Sequence, residues 1–322
     1  MLVFSNTLIA VLQNFQNWSD YVTDRRKGQI GLIFVTMIWG SGFVVSAISL
    51  EYFSPYQILT LRFLLAFILM GALFFSQLKH AGKKTYLKGI GLGSILYLAF
   101  LFQTVGLVYT TPSKNAFLTA FNVVLVPFIG ALFFRRKVTA PAIIGALLSI
   151  SGIAVISLND FHGINFGDLL TLVCALFFAL QIIFTNRFVL GENIYALTTI
   201  QMGTAAVLGV IVSLARGEFT LPEAGEGYYS ILYLGVISTM LAFLVQTASQ
   251  QFTKETETAI ILSMEAVFGM VASALFLKEA ITLRMLIGAA LILAGVLVVE
   301  LKPQKAIWKN CRMCILKPCV QS

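Results

Sequence analysis

The sequence predicts an all-α integral membrane protein with ten transmembrane helices, arranged as two inverted five-helix repeats. Three observations predict it: a composition too apolar for a water-facing globule, ten apolar stretches of spanning length, and a phrase the chain writes twice. The 322 residues are 58% hydrophobic and 11% charged, with a mean hydropathy of +0.90. Soluble domains are about a quarter charged, so this chain lacks the polar surface to coat a globule in water.

A bilayer span needs about 20 mostly apolar residues. The stretches that meet this are 29–49, 55–76, 88–108, 116–134, 139–158, 167–187, 194–214, 228–248, 257–277 and 282–300. The links between them are short and carry turn or charge signals, such as "EYFSP", "KHAGKK", "RRKVT" and "NDFHG". Lysine and arginine set the orientation, because cytoplasmic links retain positive charge. With the N-terminus inside, seventeen of the 22 fall on the inner side. Lys114, Arg216, Lys278 and Arg284 fall outside, and Arg62 lies within a span. Both termini are therefore expected in the cytosol, with the chain in the cell's inner or plasma membrane. The net charge of +8 reads as attraction to an anionic leaflet and not as a nucleic-acid site. The expected partners are the lipid bilayer and a small-molecule substrate.

Residues 1–28 lack an early positive charge and a small-residue cleavage site, so they read as a cytosolic extension. Residues 302–322 read as a basic cytosolic tail carrying Cys311, Cys314 and Cys319. A CxxC needs further ligands to hold zinc, and neither histidine is nearby in sequence.

The repeated phrase is "AFLFQT" at 99–104 and "AFLVQT" at 242–247, an offset of 143. At the same offset, "LFFRRKVTAPAIIGALLSISGIAVISL" (132–158) falls on "LFLKEAITLRMLIGAALILAGVLVVEL" (275–301). Earlier in the chain the offset is 139, with Gly28 on Gly167 and Tyr56 on Tyr195. The chain is thus two copies of five helices. Five is odd, so the copies lie upside down relative to each other. Inverted repeats are a mark of secondary transporters, which bind substrate near the midplane between the halves. They also occur in channels, so a passive pore or facilitator stays open as the alternative.

Several stretches, taken in order and spacing, resemble the drug/metabolite transporter superfamily, EamA-type branch. They are "IWGSGFV" (38–44), "LRF" (61–63), "STMLAFLVQT" (238–247), "SMEAVFG" (263–269), "LFLKEAIT" (275–282) and "GAALILAGV" (288–296). The resemblance covers about residues 28–301 and divides the chain into EamA-like repeats at 29–158 and 167–301. The family usually has proline after the helix 9 glutamate, where this chain has Ala266. Helix 4 often ends in glutamate, where this chain has Arg135 and Arg136. The resemblance implies a central cavity walled by both halves and movement of small metabolites, often export of amino acids.

Candidate site residues follow from polarity inside spans. Glu265 lies well inside helix 9, and an ionisable residue there faces a cavity or a partner. It is the candidate for proton coupling, against the reading of a hydrogen-bonded packing group. Its repeat mate is Asn122. Arg62 can fork onto a carboxylate, either a substrate's or Glu265's, or else send its head to the outer interface. Its repeat mate is Gln201. Gln103 and Gln246 can bond a substrate or join helices. Asn115 can cap helix 4 or line the cavity, and its neighbour Lys114 is expected at the solvated outer rim. Trp39, Phe43 and Tyr97 can grip apolar or cationic groups or simply pack. Gly145/Gly152 and Gly288/Gly295 read as close-packing surfaces.

The sequence shows no HExxH, Walker loop or GxSxG motif. No cofactor and no metal are expected, and the chain does not read as an enzyme. The function these readings support is a secondary transporter of small organic metabolites such as amino acids, an exporter by resemblance.

Overall fold

The computed structural model describes residues 2–134, 138, 140–157, 165–220 and 225–300, with the backbone alone over 2–23. Every regular element among them is helical. Helix α1 (Leu2–Ser49) carries the N-terminal extension without a break into the first span. Helix α2 (Pro55–Leu73) starts on a capping box: Ser54 accepts from the Gln57 N–H, and the Gln57 side chain accepts from the Ser54 N–H. Pro55 at the first helical position is preorganised for the helix. The helix ends at Leu73, short of the expected residue 76, with Phe74 as its C-cap, and the short α3 (Phe75–Lys79) follows. Helix α4 (Lys83–Leu107) begins five residues before the expected span. Its first turn is lysine-bearing and needs water, not lipid.

Helices α5 (Pro112–Thr119), α6 (Asn122–Phe134) and α7 (Ala140–Ser157) complete the first repeat. The second runs through α8 (Phe166–Phe188), α9 (Ile194–Ala215) and α10 (Gly227–Leu232). A π-helical stretch (Tyr233–Leu241) then leads into α11 (Ala242–Gln250), α12 (Glu255–Leu262), α13 (Glu265–Phe276) and α14 (Leu283–Glu300). Among the described residues eight segments are long and apolar enough to cross a bilayer, α5–α6, α10–α11 and α12–α13 each forming one such segment. The shorter apolar helices α7 and α14 pack against each other and bring the apolar segments to ten. Large apolar side chains coat the outside. Among them are the repeat mates Leu132 and Leu275, and Phe133 and Phe276. The links around Arg135 and Arg136 and the tail with Cys311, Cys314 and Cys319 lie outside the described residues.

The repeats meet through close backbone approaches that come in equivalent pairs. A Cβ on Gly152 would stand 2.6 Å from the Gly288 carbonyl, and one on Gly295 would stand 2.6 Å from the Gly145 carbonyl. The repeat offset turns one contact into the other, so α7 and α14 run antiparallel about a pseudo-twofold axis. The same holds nearer the two ends of the bundle. A Cβ on Gly167 would meet the Gly106 carbonyl at 2.6 Å, and one on Gly28 would meet the Ser249 carbonyl at 3.0 Å. Without a hydrophobic drive between helices in lipid, such small-residue contacts let dispersion hold the halves together.

At the end where α1 emerges from the extension, Glu192 accepts from Lys88 at 2.7 Å and from the Thr85 hydroxyl. These two hydrogen bonds, Lys88 first, hold the Glu192 carboxyl below its usual range. A lowered carboxyl contributes stability that is complete above the unfolded carboxylate range and lost as pH falls through the folded value.

Two outcomes are expected. Gly152→Leu overpacks the α7–α14 contact and costs about 1–3 kcal/mol or more, read as a lower melting temperature in detergent. Gly91→Leu, where a Cβ meets open space, leaves the melting temperature near wild type. Separately, melting temperature measured from pH 7 down to pH 3 falls more steeply for wild type than for Glu192→Gln. Parallel curves would contradict the role given to this carboxylate.

Candidate functional site

Between the repeats lies a cavity of about 30 Å³, room for on the order of two waters. Its wall holds seven of the residues singled out from the sequence: Trp39, Phe43, Arg62, Gln103, Asn122, Gln246 and Glu265. They come from α1, α2, α4, α6, α11 and α13, so both repeats build it.

Two helix breaks aim Asn122 and Glu265. In the first repeat the backbone bonds shorten to i→i−3: Phe121 to Leu118, Val123 to Ala120 and Val124 to Phe121. In the second the same shortening joins Met264 to Ile261, Ala266 to Ser263 and Val267 to Met264. Each bond is the repeat mate of the other copy's. A tighter turn rotates everything beyond it, and in both copies the first residue beyond is the polar one. No proline is required: Ala266 stands where the family usually has one, and the helix breaks regardless. Pro127 sits inside α6, several residues past its break. Glu265 is buried and has no hydrogen-bond or ion-pair partner among the described residues.

The second repeat alone carries the π-helical stretch. Its i→i+5 spacing widens the helix, a feature frequent at functional sites. The Thr239 hydroxyl donates to the Leu234 carbonyl five residues back, at 2.6 Å. Arg62 Nε donates to that hydroxyl at 3.0 Å, and its Nη2 reaches Ser238 Oγ at 3.5 Å. Trp39 Nε1 donates to the Ser238 carbonyl at 3.0 Å. The Arg62 guanidinium also lies over the Phe100 ring, 4.3 Å from its centroid, a cation–π arrangement. Arg62 is 2% exposed, so its head does not reach the interface. Among the described residues no carboxylate pairs with it, and Glu265 does not lie within ion-pair reach.

The aromatic wall is also doubled. Trp39 packs on Phe243 at 5.0 Å between centroids, and their repeat mates Phe178 and Phe100 pack at 5.3 Å. Gln103 and Gln246, the glutamines of the repeated phrase, both face the cavity. Gln103 Nε2 donates to Thr119, and Gln246 Nε2 donates to Gln181 Oε1. The buried Oδ1 of Asn122 and Oε1 of Gln246 accept no hydrogen bond.

Two candidates lie off the cavity wall. Tyr97 is buried in an apolar cluster with Leu59, Phe63 and Met202. Asn115 spends its amide on the Gln103 carbonyl at 3.2 Å and on Thr171 at 2.9 Å, joining three helices. Lys114 is not at a solvated rim. It is 8% exposed and pairs with Asp168 at 2.8 Å, because α8 brings a buried carboxylate against it. Phe178, Gln181 and Ser238 line the cavity without having been singled out. Phe178 could have been found as the repeat mate of Trp39. Gln181 carries no such signal, since its mate is Gly42.

Known proteins agree with this architecture. The EamA-like transporter family matches twice, over residues 26–158 and 165–301. A protein of Archaeoglobus fulgidus described as an uncharacterized transporter is 34% identical, over 86% of this chain and 87% of its own length. A Salmonella typhimurium protein described as a probable amino-acid metabolite efflux pump is 28% identical, over 84% of this chain and 93% of its own. A solved crystal structure superposes with a TM-score of 0.68, covering 85% of this chain and 97% of its own at 16% identity, which speaks to fold alone. Two matched repeats around one shared cavity place this chain in the EamA-like transporter family, a membrane transporter and not an enzyme.

Proposed function

We propose that the chain is a secondary carrier that exports small organic metabolites such as amino acids, by alternating access of the central cavity between the two inverted repeats. The termini face the cytosol in this reading, and Glu265 is the proton-coupling group. One observation carries the proposal: a buried guanidinium and a buried carboxyl group line one cavity, and among the described residues neither is paired with an opposite charge. A charge left alone at that depth is costly. A zwitterion offsets both at once, its carboxylate on Arg62 and its ammonium on Glu265.

Other features support the same solute class. The unpartnered oxygens of Asn122 and Gln246 are acceptors for ammonium N–H groups. The rings of Trp39, Phe43 and Phe100 supply a face for an apolar side chain or a cation. Tyr97 and Asn115 belong, in this reading, to the packing that holds the wall. The narrow cavity favours a carrier over a pore: a solute of amino-acid size enters only when the halves part. Export follows the Salmonella and Escherichia coli relatives described as probable amino-acid metabolite efflux pumps.

The test is counterflow in proteoliposomes preloaded with amino acids and related metabolites. One class of unlabelled solute is expected to accelerate uptake of the labelled one. Arg62→Gln is expected to weaken apparent affinity roughly 10- to 100-fold, the loss of charge-assisted hydrogen bonds. Glu265→Gln is expected to weaken apparent affinity by a similar factor, since the ammonium loses its counter-charge, to keep trans-stimulated exchange at saturating solute, and to lose net flux driven by a pH gradient. If Glu265→Gln kept pH-driven net flux at saturating solute, the proton role would be lost while the carrier stood. Uptake without trans-stimulation, accompanied by conductance, would contradict the carrier and favour a pore.

A further inference from the structure

Each end of the bundle is fastened by a polar contact that joins the first repeat to the second. At one end Lys114, at the start of α5, pairs with Asp168, at the start of α8, at 2.8 Å. The side chains are 10% and 1% exposed. At the other end Glu257, at the start of α12, accepts from Gln29 Nε2 and from Arg25 Nε at 2.9 Å. The second Glu257 oxygen lies 3.2 Å from the same Arg25 nitrogen.

These contacts are repeat mates. Lys114 falls on Glu257 at the offset of 143, and Gln29 falls on Asp168 at the offset of 139. The sequence has changed every charge while keeping the contact: a cation on α5 against an anion on α8, and an anion on α12 against α1. Each contact also adjoins one of the paired backbone approaches, Gly167 on Gly106 and Gly28 on Ser249. Further ties reinforce the Asp168 end: Thr110 donates to Asp168 at 3.4 Å, and Ser113 donates to Glu279 at 2.7 Å.

We infer that Lys114–Asp168 and Arg25/Gln29–Glu257 are the two latches of the transport cycle, each closing one entrance to the cavity. The inference rests on the alternating-access reading. Opening either entrance parts α5 from α8 or α12 from α1, and so breaks one latch. Rocking about the central axis leaves the other formed, which keeps the two entrances from opening together. With both latches formed the halves are drawn in, as the narrow cavity between them shows. Lys114–Asp168 is a buried ion pair and Arg25–Glu257 a partly buried one, with side chains 32% and 8% exposed; such pairs suit latches because their two states are discrete: partners in contact, or both solvated in an opened mouth.

The test reads accessibility and needs no solute, so a chain that failed every counterflow assay would still confirm or overturn the latches. Single cysteines are placed at the cavity-lining Ser46 or Leu262 in a chain whose four native cysteines are replaced by alanine. Membrane-impermeant maleimide is then added to one face of sealed vesicles. Lys114→Gln is expected to speed labelling from the Asp168 end by on the order of tenfold, the effect of losing one charge-assisted hydrogen bond. The same variant slows labelling from the Arg25 end. Glu257→Gln reverses both signs. The charge-swapped pair Arg25→Glu with Glu257→Arg restores wild-type rates and guards against a variant that merely misfolds. Changes of the same sign from both faces, no change in folded variants, or a swap that restores nothing would overturn the inference.

Discussion

A backbone N–H or C=O facing lipid without a partner costs several kcal/mol, so a chain in a bilayer departs from helix only where protein or a cavity replaces lipid. That constraint orders this structure. Among the described residues its departures within spans are the breaks at 120–121 and 263–264 and the π-helical stretch over Tyr233–Leu241. All of them border the one central cavity. The breaks bring Asn122 and Glu265 to its wall, and the π stretch brings the Ser238 carbonyl and the Thr239 hydroxyl to Trp39 and Arg62. Irregular backbone gathers at this cavity because protein, and not lipid, surrounds it there.

The repeat explains which features are shell and which are chemistry. What the two copies share is structural: the paired glycine contacts, the i→i−3 bonds at both breaks, and the Trp39–Phe243 and Phe178–Phe100 packing. What they do not share is charged or irregular. Glu265 answers Asn122, Arg62 answers Gln201, and the π stretch answers regular helix in α4. In the proposed carrier, a symmetric shell would let the two halves exchange roles. The unsymmetric residues give the cavity wall two unlike groups, a guanidinium and a carboxyl group. Such polarity suits a solute that is itself charged at two ends.

Much of this was legible in the sequence, and the illegible part has physical reasons. Composition and span length fixed the class, because lipid tolerates so little else. The repeat is visible in part because close backbone approach calls for glycine at the mates Gly152 and Gly295. Glu265 and Arg62 stood out because charge in a span is rare. The breaks were hidden: Ala120–Phe121 and Ser263–Met264 contain no proline or glycine, and a 3₁₀ turn leaves no compositional trace. Whether Tyr97 and Asn115 line the cavity or pack behind it is not legible, because helices apolar on every side do not reveal which face turns inward. The burial of Lys114 depended on Asp168, a partner 54 residues away that no local pattern announces.

The account's central claim is that one cavity reads both ends of a zwitterion through Arg62 and Glu265. The most direct measurement is competition against labelled amino-acid exchange by three versions of one solute: the free amino acid, its methyl ester and its N-acetyl derivative. The account predicts that only the free amino acid competes well in wild type. Arg62→Gln would then lose the preference for the carboxylate, and Glu265→Gln the preference for the ammonium. Equal competition by all three would show that neither charge is read, and the account would be wrong.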